Sequence, residues 1–296
     1  MLRVAILLCV VLLSGLNVSV HAAEQPVGMV EQPCPPPLAR PPVVRDLLVE
    51  LFIEPRKLTP GDLDRLMKNP QFMEFNEANR SRAAQDWPGL CRYRAANASA
   101  LAASVATRVV FMGDSITASW ALADPVFFDR GIVNRGISGQ TTAQMLMRFR
   151  ADVVALRPKI VHILGGSNDV AGITGPTSAQ DCKNNIMSMV EIARANGIDV
   201  ILGSLPPAVG DVLLASSAAF TRRPGFEPTT TIKELNAWLR DYSAQQRIAF
   251  IDYYTALAGP AAELRSDLGN DGVHPNRKGY TIMRRLVEEK FSDRPR

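Results

Sequence analysis

Arg108-Val109-Val110-Phe111-Met112-Gly113-Asp114-Ser115 is the stretch that decides the fold. Its apolar run is too short for a helix and lacks the polar alternation of a half-exposed strand. It therefore reads as a strand buried on both faces, over residues 108–112. Gly113 then allows a sharp turn, which can lift Ser115 above the sheet edge. Further strands are expected at 132–134, 159–164, 199–203 and 249–252, and helices at 142–156, 178–195, 231–245 and 278–291. Short apolar strands alternating with helices predict a parallel sheet covered on both sides. Such sheets bind ligands at the carboxyl ends of their strands.

Four polar clusters fall at such ends. Gly113-Asp114-Ser115 supplies a hydroxyl, and Asn134-Arg135-Gly136-Ile137-Ser138-Gly139 offers a bare backbone N–H. Gly165-Gly166-Ser167-Asn168-Asp169 brings a side-chain amide, with Asp169 expected to cap the turn that follows. Asp271-Gly272-Val273-His274 places a carboxylate and an imidazole on one loop. A serine hydroxyl is a weak nucleophile that needs a base, and the base needs an orienting group. The chain has three histidines: His21 lies in an apparent leader and His162 inside the apolar run Ile160-Val161-His162-Ile163-Leu164, which leaves His274.

Taken together, the clusters resemble the SGNH or GDSL hydrolase family, secreted serine esterases and lipases named for a Ser, a Gly, an Asn and a His in ordered blocks. Ser115, Gly136, Asn168 and His274 match in order, over about residues 107–290. Residues 136–142, with Arg148 and Pro158, are similar to the platelet-activating-factor acetylhydrolase-like branch. The resemblance implies a three-layer α/β/α, flavodoxin-like fold. It implies Ser115 as nucleophile, His274 as base and Asp271 as its orienter, with Ser115, Gly136 and Asn168 forming the oxyanion hole. No metal or other cofactor is needed. The Gly-x-Ser-x-Gly elbow of α/β-hydrolases is absent. Trp120 could wall a small acyl pocket, and Arg135 could meet an acidic substrate group; core packing and a surface ion pair are the competing readings. A metal-dependent phosphoesterase is disfavoured by the shortage of histidines, and a non-catalytic binding protein by the complete Ser, His and Asp set.

Residues 1–22 read as a secretory leader, with Arg3, an apolar segment from Val4 to Leu13, and Val20-His21-Ala22 as cleavage site. The apolar segment is too short to span a bilayer, so an exported product without a membrane anchor is expected. Removing the leader takes away Arg3 and lowers the net charge from +4 to +3. The remaining charges are scattered, which gives no support for nucleic-acid binding. In an oxidising compartment one cysteine pair is expected among Cys34, Cys91 and Cys182. Cys34 with Cys91 is the favoured pair, and closing that loop is worth ~4 kcal/mol in the chain-entropy model. Residues 23–105 form a Pro-rich lead-in and a helical extension, with helix starts at Thr59-Pro60 and near Asn69-Pro70. The hydrolase domain is expected over 106–296, with residues 205–228 a candidate substrate-side flap. The expected substrate is a short-chain ester, of a small molecule or a polysaccharide, with lipid and aryl esters as alternatives.

Overall fold

Alternate residues of the first strand, β1 (Val109–Gly113), face opposite ways, and both sets are buried. Val110 and Met112 join one apolar cluster, while Val109 and Phe111 join another on the far side of the sheet. This computed structural model describes residues 29–208 and 227–292. The expected leader at 1–22 and most of the 205–228 loop, the candidate flap, lie outside the described residues. Residues 36–296 cluster as one unit and residues 1–35 as another, of which 29–35 carry neither helix nor strand.

The sheet continues with β2 (Ile132–Gly136), β3 (Ile160–Leu164), β4 (Asp199–Gly203) and β5 (Ala249–Ile251). Every pairing is parallel, in the order β2-β1-β3-β4-β5. The expected strands are present, with β1 and β2 running slightly further, to glycines, and β5 ending one residue early. Gly113 is in register with Gly136 on one side and Leu164 on the other, so three of the polar clusters leave the sheet at one level.

Helices cover both faces, giving the α/β/α layering. In the extension lie α1 (Pro42–Leu48), a π-helical turn (Val49–Ile53), α2 (Pro60–Met67), α3 (Pro70–Gln85) and α4 (Arg94–Ala102). Helices α2 and α3 begin where Thr-Pro and Asn-Pro placed them. Asn69 Oδ1 accepts the Phe72 N–H at 3.0 Å, and Asp62 Oδ2 accepts from the Thr59 N–H at 2.8 Å. Next come α5 (Ser115–Ala123), α6 (Thr142–Asp152), α7 (Ser167–Ala171) and α8 (Ala179–Ala195). The chain closes with α9 (Pro228–Gln246), α10 (Tyr253–Leu257) and α11 (Arg277–Ser292). Helices α6, α8 and α9 pack on Val110, Met112, Val161 and Ile163. On the other face α5, α10 and α11 pack on Val109, Phe111, Ile201 and Ile251.

Candidate active site

Ser115 opens helix α5 directly after β1, and Asp114 caps that helix by accepting the Ile116 N–H at 2.9 Å. The first N–H groups of a helix have no intrahelical acceptor, so the Ser115 N–H points away from the helix body without one. Asp114 is buried, and burial pushes its carboxyl up to about 6 against the opposing pull of the Ile116 N–H and of His274.

His274 approaches from the loop before α11. Its Nε2 lies 2.9 Å from Ser115 Oγ, and its Nδ1 lies 2.7 Å from Asp271 Oδ2. The other oxygen of Asp271 accepts the backbone N–H groups of Val273 (2.9 Å) and His274 (2.7 Å). With its acceptors committed in this way, Asp271 favours the tautomer that carries its proton on Nδ1, leaving the Nε2 lone pair for the serine hydroxyl. Burial opposes ionisation of Asp271, but the charge and N–H bonds of His274, with the Val273 N–H, outweigh it and hold the carboxyl below its ordinary value. For His274 burial pulls down, yet Asp271 and Asp114 together raise the ring above its ordinary value.

Asn168 is buried on α7 and donates one amide N–H to the Gln140 carbonyl at 2.9 Å. Its neighbour Asp169 does not cap its own turn. It accepts the Thr142 N–H at 2.9 Å and the Thr142 hydroxyl at 2.5 Å, which ties the start of α6 to α7.

Gly136 departs from its expected role as an oxyanion donor. Its N–H is spent on Asn134 Oδ1 at 2.9 Å. What demands glycine there is close packing, because a Cβ would lie 2.2 Å from the Ala118 backbone nitrogen. Three residues on, Gly139 has φ +80°, and a Cβ there would meet nothing within 4 Å. Its N–H has no hydrogen-bond partner among the described residues. The signal for it in the sequence was the Ser138-Gly139 pair ahead of a helix start, a place where a left-handed residue exposes backbone.

Trp120 and Arg135, each read from the sequence either as a substrate group or as a blander one, are both buried. Trp120 is wholly buried, with its ring 5.5 Å from Phe111 and 5.6 Å from Tyr280, because helical geometry turns that position of α5 into the core. Arg135 is not a surface group. Only 5% exposed, it donates Nε to Asn97 Oδ1 at 2.7 Å and lies 4.9 Å from the Tyr93 ring centroid. His162 is buried as expected, with Nε2 2.9 Å from the Tyr253 hydroxyl. Cys34 and Cys91 are both disulfide-bonded. Cys182 is a buried free thiol, pushed up to about 12 chiefly by burial. Among the described residues no three His, Cys, Asp or Glu converge as a metal site requires.

Sequence reasoning missed a buried charged network behind the site. Arg148 and Asp152 are fully buried and paired at 2.9 Å. Arg148 also donates to Gln140 Oε1 at 2.5 Å and to the Gly113 carbonyl at 3.0 Å. Asn97 joins in by donating to Asp152 Oδ1 at 2.7 Å. Its traces in the sequence were the i, i+4 spacing of Arg148 and Asp152 on a helix and the likeness noted at Arg148.

Comparison with known proteins places this geometry in context. The model of the GDSL-like lipase/acylhydrolase family matches residues 111–282. Esterase TesA of Pseudomonas aeruginosa is 30% identical over 187 residues, which is 58% of this chain and 81% of TesA. The uncharacterized lipoprotein YqeF of Bacillus subtilis is 37% identical over 81 residues, 26% of this chain and only 33% of YqeF. A GDSL-like lipase structure from Bacteroides thetaiotaomicron matches with a TM-score of 0.62 and 39% identity. That match covers 69% of this chain and 98% of the other.

Proposed function

The chain belongs to the GDSL-like lipase/acylhydrolase family, and from that premise we propose that this carboxylic ester hydrolase cleaves short-chain esters, acetyl esters above all, through Ser115, His274 and Asp271. The observation that carries the reading is the unbroken relay from Ser115 Oγ to His274 Nε2 at 2.9 Å and from His274 Nδ1 to Asp271 at 2.7 Å.

In this mechanism Ser115 Oγ attacks the ester carbonyl while His274 Nε2 takes the hydroxyl proton. Asp271 holds the ring and stabilises the imidazolium. The tetrahedral intermediate collapses as His274 returns the proton to the leaving alcohol. Water, deprotonated by the same ring, then attacks the acyl-enzyme and releases the acid and free Ser115. The oxyanion donors are the Ser115 N–H, the free amide N–H of Asn168 and, in place of Gly136, the unpartnered N–H of Gly139. One such donor is worth ~3–4 kcal/mol of transition-state stabilisation.

Export is supported by the leader-like residues 1–22 and by the likeness to a lipoprotein. No helix among the described residues is long and apolar enough to cross a membrane. An exported acetylesterase would find its substrate on polysaccharides; a lysophospholipase or arylesterase is the alternative within the family. Ser115→Ala is expected to abolish p-nitrophenyl acetate hydrolysis with the fold intact, and full retained activity refutes the mechanism. A series from acetyl to octanoyl esters, run beside acetylated xylan and a lysophospholipid, tests the substrate. Preference for octanoyl overturns the short-chain assignment.

A further inference from the structure

The helical extension carries no chemical motif, yet its polar contacts converge on the two loops that hold the site. On one side the Pro88 carbonyl accepts Gln140 Nε2 at 2.9 Å, and the Trp87 carbonyl accepts Gln144 Nε2 at 2.8 Å. Gln140 is the residue whose own carbonyl holds Asn168. The Tyr93 hydroxyl donates to the Gly136 carbonyl, and its ring lies under the Arg135 guanidinium. Asn97 bridges Arg135 to Asp152 through bonds of 2.7 Å each. The turn 136–140 is thus held from below by residues 87–97.

On the other side the extension grips the loop of Asp271 and His274. Asn270 donates Nδ2 to the carbonyls of Leu51 (2.8 Å) and Glu54 (2.7 Å), and its Oδ1 accepts from Arg56 N at 3.3 Å. Asn276 Nδ2 adds a bond to the same oxygen at 3.0 Å, so the loop is closed on itself around Asn270. These bonds are directional, and side-chain amides facing backbone carbonyls specify position more than they add stability.

We infer that residues 51–97 are a positioning brace for catalysis: Tyr93 and Asn97 set the turn that presents the oxyanion donors, and the Leu51–Glu54 carbonyls, through Asn270, set the His274 loop. This rests on the esterase reading above. A displacement of the order of 1 Å in a reacting group can cost about 100-fold in rate, so loss of one brace contact is expected to show in kcat. KM is expected to hold, because the polar ends of these side chains are spent on protein groups behind the proposed site.

The two sides predict different signatures in the full-length protein with p-nitrophenyl acetate. Tyr93→Phe and Asn97→Ala are expected to lower kcat about 10-fold or more, with KM within about two-fold and the acid limb of the pH profile unmoved. Asn270→Ala is expected to lower kcat and also to move that limb to lower pH. The groups facing His274 are Asp271, on its own loop, and Asp114, at the start of α5; loosening the loop weakens the first and leaves the second. Thermal midpoints are measured alongside. The brace is overturned if Tyr93→Phe and Asn97→Ala keep wild-type kcat, if kcat falls only as the folded fraction falls, or if all three variants share one pH profile. Active wild type with unaffected variants removes the brace alone, whereas wild type that neither hydrolyses the ester nor labels with a phosphonate at Ser115 removes the esterase reading and the brace together.

Discussion

The Tyr280 hydroxyl donates to the Ile116 carbonyl across 2.7 Å in the core, joining the helix that follows the His274 loop to the helix that begins with Ser115. Ser115 and His274 belong to segments 159 residues apart, and this bond fixes the spacing of their supports. Tyr280→Phe keeps the packing against Trp120 and removes this bond, while the Ile116 carbonyl keeps its acceptor role within α5. It is expected to cost about 0.5–1.5 kcal/mol of stability, read as a lower urea midpoint, with a several-fold loss of ester hydrolysis.

Asp271→Asn is expected to lower kcat by about 10³- to 10⁴-fold, because an amide does not impose the tautomer that leaves Nε2 free. The variant's expression and circular dichroism are expected to match the wild type.

The pH profile has a defined sign. In the proposed mechanism His274 accepts a proton only when neutral, and its neighbours raise it above the ordinary 6.5. Activity is therefore expected to rise through a midpoint above 6.5 and then level off. Asp114→Asn removes one of the two carboxylates that raise the ring, so the midpoint is expected to fall. An unmoved or higher midpoint in a pH series of kcat/KM contradicts the arrangement.

His162 ties stability to pH. Burial lowers it to about 3, so below 6.5 the unfolded chain binds a proton that the folded one refuses. Its contribution is complete above 6.5 and is lost as the pH falls towards 3. Asp114, raised to about 6, opposes this slope because the folded state is the one that holds its proton. Between pH 6 and 4 the difference in unfolding free energy between wild type and His162→Gln is expected to change by about 1.4 kcal/mol per pH unit. Parallel curves refute it.

Arg148→Met leaves Asp152 buried beside Asn97 without its counter-charge. Breaking a buried pair on one side costs about 3–5 kcal/mol, and the thermal midpoint is expected to drop accordingly. A double substitution that also makes Asp152 apolar is expected to recover much of the loss.

What could be read from the chain was what repeats or is concentrated locally. The strands stood out because each is a short apolar run ended by glycine or a polar residue, and Ser115, Asn168, Asp271 and His274 because each follows such a run or sits on a tight loop. Helix α5 was not foreseen. Ile116, Thr117, Trp120 and Ala123 turn into the core and the positions between them are half-buried, but small and apolar residues fill both sides of Ser115–Ala123, so no polar face marks its 3.6-residue period. Trp120 stayed open between pocket wall and core for the same reason, and its ring packs against Phe111 and Tyr280. Gly136 and Gly139 look alike on paper, and only the Asn134 side chain and the Ala118 backbone tell them apart. The extension stayed silent because most of its bonds to these loops have a main-chain group on one side, which has no residue-type signature.

All five strands run the same way, so the chemistry is confined to one rim. The returns from helix to strand lie at the other, where Arg157, Gly197 and Arg247 take left-handed turns with φ of 50°, 69° and 53°. Those three corners are where a fluorophore or a surface tether can be attached with the ester-cleaving mouth left facing the solution.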